Sequence, residues 1–473
     1  MPEFELVIRG GRVIDPASGV DAVMDLAVEA GKIAALSSST LVGRRVIDAS
    51  GLVVAPGFID IHSHVDGIPH AGHCNARMGV TTVVAGNCGT TVAPEGLDVA
   101  AFLDRVDGNF PVNTAFLTGA SDIRKAAGVD PGKPASDEDI GRMLKLAQRA
   151  LDGGAIGLSF GIEYSPGTSL KELKAFGNLA RERDIPCPVH IRSSGPFVPF
   201  LKSGAPAAIR EVLDAARTTQ ARFHISHIGG QIGIRTRPRE ALLQEGLRLV
   251  EEARAEGLDI ESDMHPYDAG GTWIDAALLD IFEMGFPVPQ VIKNSVFLDI
   301  GMIEVGTGPH AGERLTRPLL RQIRKKDPRT LVVLHFFDRD LIEQVLLRKW
   351  VSFISDGDFD PVTGSPSHPR CSGTFPRFIQ WLVRERKVMS LSEALERMTI
   401  MPARRFGLEK KGRLSLGSDA DIVIFDFATM ADNASYREPD TAPSGIRHVF
   451  VNGTAVLDGG VMTDLKPGRA LRF

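Results

Sequence analysis

Between residues 58 and 355 the chain repeats one rhythm, a short apolar run followed by a longer stretch with helical spacing. The runs are Phe58 to His62, Thr81 to Gly86, Asn113 to Thr118, Ala155 to Phe160, Cys187 to Ile191, Arg222 to Ser226, Asp259 to Met264, Leu331 to Phe336 and Val351 to Ser355. Several helix starts are legible. Ser136-x-x-Asp139 precedes apolar residues at Ile140, Met143, Leu144, Ala147 and Leu151, Ser169-x-x-Glu172 precedes Leu173, Phe176 and Ala180, and Ser390-x-x-Glu393 opens a third stretch. Such a serine and acid satisfy the first free N–H groups of a helix, and the spacing behind them builds one apolar face. Strands joined by crossover helices lie parallel, and the rhythm predicts a (β/α)8 TIM-type barrel. Nine runs are one too many. Leu331 to Phe336 is set outside the barrel, because the irregular segment Gly270 to Arg329 before it reads as an insertion after strand seven.

The two ends of the chain follow a different pattern. Leu6–Arg9 and Arg12–Ile14 flank Gly10-Gly11, Leu26–Glu29 and Lys32–Ala35 flank Ala30-Gly31, and Arg45–Ile47 and Leu52–Val54 flank Ser50-Gly51. Glycine breaks between β-branched runs predict hairpins. Near the other end Asp421–Asp426, His448–Val451 and Ala455–Leu457 read as strands, the last two joined by Asn452-Gly453. Neither end buries a core alone. They are expected to pair into one small β-sandwich of residues 1–55 and 405–473, with the barrel, residues 56–404, inserted between them.

Composition excludes several classes of function. A net charge of −5 without a long run of like charge gives no basis for binding nucleic acid or an anionic membrane. Four cysteines without C-x-x-C spacing, an amino terminus with charges in place of an apolar signal core, and no long apolar span point to a cytoplasmic protein with small-molecule partners. Oligomeric state is not encoded in any of these features.

Chemistry gathers at the ends of the strand-like runs. In P-G-F-I-D-I-H-S-H, His62 and His64 stand two residues apart, so on a strand both imidazoles project from one face, which suits metal chelation. Four further runs end in ligand-type residues: Cys88 in G-N-C-G, His190, His227 in H-I-S-H, and Asp356 in S-D-G. His224, three residues before His227 in the same H-I-S-H motif, is the other candidate for the ligand on this strand. A barrel places functional groups at the carboxyl ends of its strands. His265, His310, His335 and His448 are read as structural or surface residues.

These motifs, with G-V-T-T-V-V-A-G-N-C-G, H-I-R-S-S-G, H-P-R-C-S-G-T-F-P-R and G-S-D-A-D-I-V-I-F-D, resemble those of the amidohydrolase superfamily, specifically the N-acyl-D-amino-acid deacylases. The resemblance implies one or two Zn²⁺ ions held by His62, His64, Cys88, His190, His227 and Asp356. Many relatives bridge two metals with a carboxylated lysine at the end of strand four. Here Ala155 to Tyr164 contains none, Cys88 takes the bridging place and Glu163 is the alternative bridge. The implied reaction is zinc-dependent hydrolysis of N-acyl-D-amino acids, with metal-activated hydroxide as nucleophile and Asp356 as general base and then acid. Arg370 is expected to grip a free substrate carboxylate, with Arg377 as runner-up and Asp358 or Asp360 as a competing partner for Arg370. Tyr164 and Tyr267 are expected hydroxyl donors to substrate. Ser193-Ser194, Gly229-Gly230 and the insertion depart from the family pattern. A hydantoinase, dihydroorotase or isoaspartyl dipeptidase is the alternative, and the missing lysine counts against it. A metal-free scaffold would have no need of the converging ligand set.

Overall fold

β1 (Phe4–Asp15) begins a sheet that both ends of the chain build. The computed structural model describes residues 3–90, 97–192, 204–233, 239–283 and 299–472. β1 runs straight through Gly10-Gly11. The hairpin expected there is replaced by a bulge against β2 (Val20–Glu29), between Ile8 and Gly11, with Gly10 at φ +65°. A bulge needs a residue at ease in that region, so the glycines mark extra twist and not a reversal. β2 and β3 (Lys32–Ser37) do form a hairpin, through Ala30 at φ 48° and Gly31 at φ 71°. β4 (Gly43–Asp48) and β5 (Val53–Pro56) correct a second expectation. They do not pair across Ser50-Gly51; each lies parallel to a different half of β1.

Eight parallel strands follow as the barrel. They are β6 (Phe58–Asp60), β7 (Val80–Ala85), β8 (Asn113–Gly119), β9 (Gly157–Gly161), β10 (Pro186–His190), β11 (Arg222–Ile225) and β12 (Ile260–Met264), then, past the insertion, Val351–Phe353. The predicted caps are in place: Ser136 and Asp139 form a reciprocal capping box, and Ser169 and Ser390 accept from the backbone N–H three residues on. In the insertion β13 (Gly270–Trp273), β14 (Ile303–Val305) and β15 (Leu331–Leu334) form a separate antiparallel sheet. It packs its own core of Ile274, Leu279, Ile303, Val332 and Phe336. The run excluded from the barrel is therefore a strand of this small sheet. The eighth barrel strand is β16 (Val351–Phe353). Its seam with β6 closes beyond the strand ends, where Asp356 N donates to His62 O at 2.8 Å and His64 N to Gly357 O at 2.9 Å. The residues of chemical interest thus also fasten the barrel.

The chain then returns to the terminal sheet. β17 (Ile422–Phe425) pairs antiparallel with β5, β18 (Ile446–Val451) with β17, and β19 (Thr454–Asp458) with β18 through Asn452 at φ 49° and Gly453 at φ 81°. β20 (Val461–Met462) completes that edge. Leu6, Ile8, Leu26, Val54, Ile424 and Phe450 meet in one buried core. Ile33 N donates to Ser418 O and Ala420 N to Gly31 O, both at 2.9 Å, so the sheet folds over that core into two layers. The last strand, β21 (Ala470–Leu471), leaves this sheet and pairs with β8 of the barrel. At the junction, buried Lys411 lies 2.8 Å from Asp421, which also accepts from Asn113 Nδ2 on β8 at 3.0 Å. All four cysteines are free, and no helix among the described residues is long and apolar enough to cross a membrane.

Candidate metal centre

Three of the residues singled out in the sequence break their strands in a conformation that L-residues seldom adopt. Cys88 after β7, His227 after β11 and Asp356 after β16 have φ of 54°, 32° and 51°. Such backbone persists where the surroundings over-determine it, and it clusters at functional sites. The glycines around Cys88 have a matching reason. A Cβ at Gly86 would stand 2.1 Å from Leu117 O and one at Gly161 2.0 Å from Cys88 O, so the G-N-C-G turn presses against the ends of β8 and β9.

The side chains converge. Cys88 Sγ lies 3.3 Å from His62 Nε2, 3.4 Å from His190 Nδ1 and 3.7 Å from His227 Nε2. Asp356 Oδ1 approaches the same nitrogen, 3.3 Å from His62 Nε2, and lies 3.4 Å from His64 Nε2. Two groups whose donor atoms all fall within 4.8 Å of one another therefore share His62: with Cys88 and His227, and with His64 and Asp356. Burial alone would push the Cys88 thiol up, but the charges of His62 and His190 and hydrogen bonds from His190 and His227 hold it well below the usual thiol range. Burial likewise opposes the charged form of Asp356, and Arg370, His227 and His62 outweigh it, leaving the carboxyl well below its ordinary range. A buried thiolate, imidazoles and a carboxylate are the donor set that zinc takes. The residues fit that ion. A third group, His70, Cys74 and Asp440, does not: the Arg77 guanidinium is 3.1 Å from Cys74 Sγ, and burial pushes that thiol up to about 12.

The cavity above these residues holds about 240 Å³, the scale of a small molecule. His64, Cys88, Glu163, Tyr164, His190, His227 and Asp356 all line it, and Gly271, Thr272 and Trp273 of β13 wall one side. The Tyr164 ring is 4.8 Å from that of His190. Glu163 reaches the cavity wall but belongs to neither of the converging groups among the described residues.

The amidohydrolase family profile matches residues 45–175 and 344–457, the stretches that carry His62, His64, Cys88 and Asp356. An N-acyl-D-glutamate deacylase of Alcaligenes xylosoxydans xylosoxydans is 31% identical across 99% of this chain and 97% of its own length. The chain belongs to the amidohydrolase family. A D-aminoacylase of the same organism is 32% identical over 99% of this amidohydrolase and 97% of itself. The crystal structure of an N-acyl-D-glutamate deacylase from Bordetella bronchiseptica, complexed with zinc and a phosphonate mimic of the tetrahedral intermediate, superposes with a TM-score of 0.84. It is 30% identical, over the full length of both chains.

Of the two strand-six histidines in this amidohydrolase, His227 joins the cluster. His224 sits a layer deeper, its Nε2 2.9 Å from Asp263 Oδ2. Asp263, at the end of β12, is the functional residue that sequence reasoning missed. Its carboxylate is also 3.2 Å from His62 Nδ1 and accepts from the backbone N–H of His227. Burial works against its charge, but His62 and His224 prevail and hold it far below the carboxylate range. An acid at a strand's carboxyl end was the available signal. His265, read as structural, lines the cavity.

Two expectations for substrate contacts need correcting. Tyr267 is buried and points away from the cavity, donating to Asp432 Oδ2 at 2.8 Å. Arg370 is 1% exposed and its fork is occupied, with Nη1 2.7 Å from Asp356 Oδ2 and Nη2 on Asp358. The competing pairing with Asp358 is the one observed. Arg377 donates to Pro266 O and lies 3.3 Å from Asp432. Ser193-Ser194 lie outside the described residues.

Proposed function

We propose that this amidohydrolase cleaves the amide bond of N-acyl-D-amino acids, releasing a carboxylate and a D-amino acid, with zinc held by His62, His64, Cys88, His190, His227 and Asp356. The observation that carries the reading is a buried thiol among three imidazole nitrogens at 3.3, 3.4 and 3.7 Å on the floor of one cavity. Zinc held by these residues, as one or two ions, would polarise the amide carbonyl and lower the pKa of a bound water toward neutrality. The protein's own groups do the rest. Cys88 contributes a negative charge among the imidazoles, in place of the absent strand-four lysine. Asp263 fixes the ring of His62 through Nδ1, leaving Nε2 facing the cluster, and anchors the backbone of His227. Asp356, kept ionised by Arg370, accepts the proton of the attacking water and returns it to the leaving nitrogen. Tyr164 is a hydroxyl on the wall placed to meet the acyl oxygen. Glu163 is a wall carboxylate and not a bridge in this reading. The full-length likeness to deacylases of D-amino-acid derivatives supports the substrate class, and the free buried cysteines agree with a cytoplasmic setting.

A panel of N-acetyl, N-formyl and N-succinyl D- and L-amino acids tests this directly. Amine release is expected from D-substrates in preference to their L-counterparts. Hydrolysis confined to hydantoins or β-aspartyl dipeptides would overturn it.

A further inference from the structure

The segment that brings Tyr164 to the cavity, residues 162–169, runs from the end of β9 to the helix Leu170–Glu182, which Ser169 caps. Its first half is fastened to barrel backbone. Ile162 N donates to His190 O, and Tyr164 N and Ser165 N both donate to Gly161 O, each at 3.0 Å. Two carbonyls of the second half go to one side chain. Arg192, two residues past the candidate ligand His190, donates from Nη1 to Pro166 O at 2.7 Å and from Nη2 to Thr168 O, so one planar guanidinium spans the chain across Gly167. Glu211 of the helix Gly204–Thr219 orients it, accepting from Nε at 3.0 Å. The Arg192 and Glu211 side chains are 26% and 22% exposed, and a pair so open to water adds little to folding stability. What the clamp fixes is the place of the backbone two to four residues from Tyr164. Arg124 is a different case: it is buried with Glu172 and holds Asp130 O and Lys133 O, so its loss would strand a buried carboxylate.

We propose that Arg192 is a positioning residue for the hydrolysis: by clamping Pro166 O and Thr168 O it sets where the Tyr164 hydroxyl stands over the metal ligands, and so its distance from the acyl oxygen. The inference rests on the hydrolase reading above and on the place given there to Tyr164. The path is short. The Tyr164 ring packs 4.8 Å from that of His190, whose carbonyl holds the start of the loop while Arg192 holds its end. The end of β10 thus carries a candidate ligand and fixes the wall hydroxyl beside it.

The test measures kcat and KM on the zinc-loaded enzyme with its best N-acyl-D-amino-acid substrate, for Arg192→Ala, Arg192→Lys, Tyr164→Phe and the two double variants. Each Arg192 variant is expected to lower kcat by about 10–100-fold, the scale set by a displacement of about 1 Å near the reacting atoms. KM should change less, and zinc content should be retained. Lysine keeps the charge but lacks the fork that spans two carbonyls. Guanidinium ion at low concentration should restore part of the activity of Arg192→Ala and none of that of Tyr164→Phe. With Tyr164→Phe already in place, replacing Arg192 should cost less than about twofold more, because the hydroxyl through which it acts is gone. Losses that multiply in the double variants, an unchanged kcat in the single ones, or zinc lost in step with activity would each overturn the inference and leave the hydrolase reading standing. If Arg192→Ala does not fold, Arg192→Lys and its double variant decide the same question. Failure of the wild type to cleave any N-acyl-amino acid overturns the hydrolase reading and this inference with it.

Discussion

Asp356 and Asp263 are both buried carboxylates held ionised by their neighbours, yet they sit on different sides of the imidazoles. Asp356 faces the cavity, so Asp356→Asn removes the proton acceptor and should lower kcat by at least about 10²-fold. The Asp263 carboxylate meets the far side of His62, His224 and the backbone of His227. Asp263→Asn should therefore weaken zinc by about 10–100-fold, read by competition with a chelator, and activity should return at high zinc. Loss of kcat that excess zinc does not restore would place Asp263 in the chemistry itself. His265 gives a pH signature. Burial, helped by the nearby Arg370, pushes its imidazole down to about 3. A histidine with a depressed folded pKa adds stability that is complete above its unfolded value near 6.5 and is lost as pH falls toward 3. Between pH 7 and 4.5 it accounts for about 2–3 kcal/mol of lost stability. In denaturant unfolding, His265→Phe should shrink the acid-induced fall by that amount, and an unchanged fall would show that the neutral ring is not the source.

At the scale of elements, β17 is the piece that joins the two ends of the chain, with β5 on one edge and β18 on the other. A chain ended after residue 430 loses β18 and β19, uncovering Ile424 and one side of the sandwich core. It should be recovered in the insoluble fraction, since an open apolar edge pairs with other chains. A soluble, active product would mean that the barrel does not need the divided sheet. The same elements show what could be read from residues alone. Hairpins at Ala30-Gly31 and Asn452-Gly453 were legible because both turn residues favour or tolerate positive φ and flank strands in register. Gly10-Gly11 carries the same local signal, but the pairing that decides between bulge and turn lies with β2, ten residues and more away. Ser50-Gly51 misled for a related reason: β4 and β5 find their partner in β1 and not in each other.

For the molecule as a whole, the rhythm of strand and helix was enough to read the barrel and to set β15 outside it, because periodicity is a local property. The convergence of Cys88, His190, His227 and Asp356 was also legible, since each ends a barrel strand and strand ends share one mouth. What a side chain does across that mouth was legible only in part. The pairing of Arg370 with Asp358 was among the partners that residues alone offered, whereas the partner of Tyr267, Asp432, comes from 165 residues away. Asp263 was missed because its role depends on three atoms brought to it by two other strands. The central claim is that a zinc centre built on Cys88 performs amide hydrolysis. It is tested most directly by following amine release from the best N-acyl-D-amino-acid substrate with the purified protein stripped by chelator and then titrated with zinc, beside Cys88→Ala. Activity should vanish on stripping and return with zinc in proportion to one or two ions bound, and Cys88→Ala should bind zinc more weakly and turn over more slowly. Undiminished hydrolysis by the stripped protein, or a Cys88→Ala variant with unchanged zinc affinity, would contradict the account.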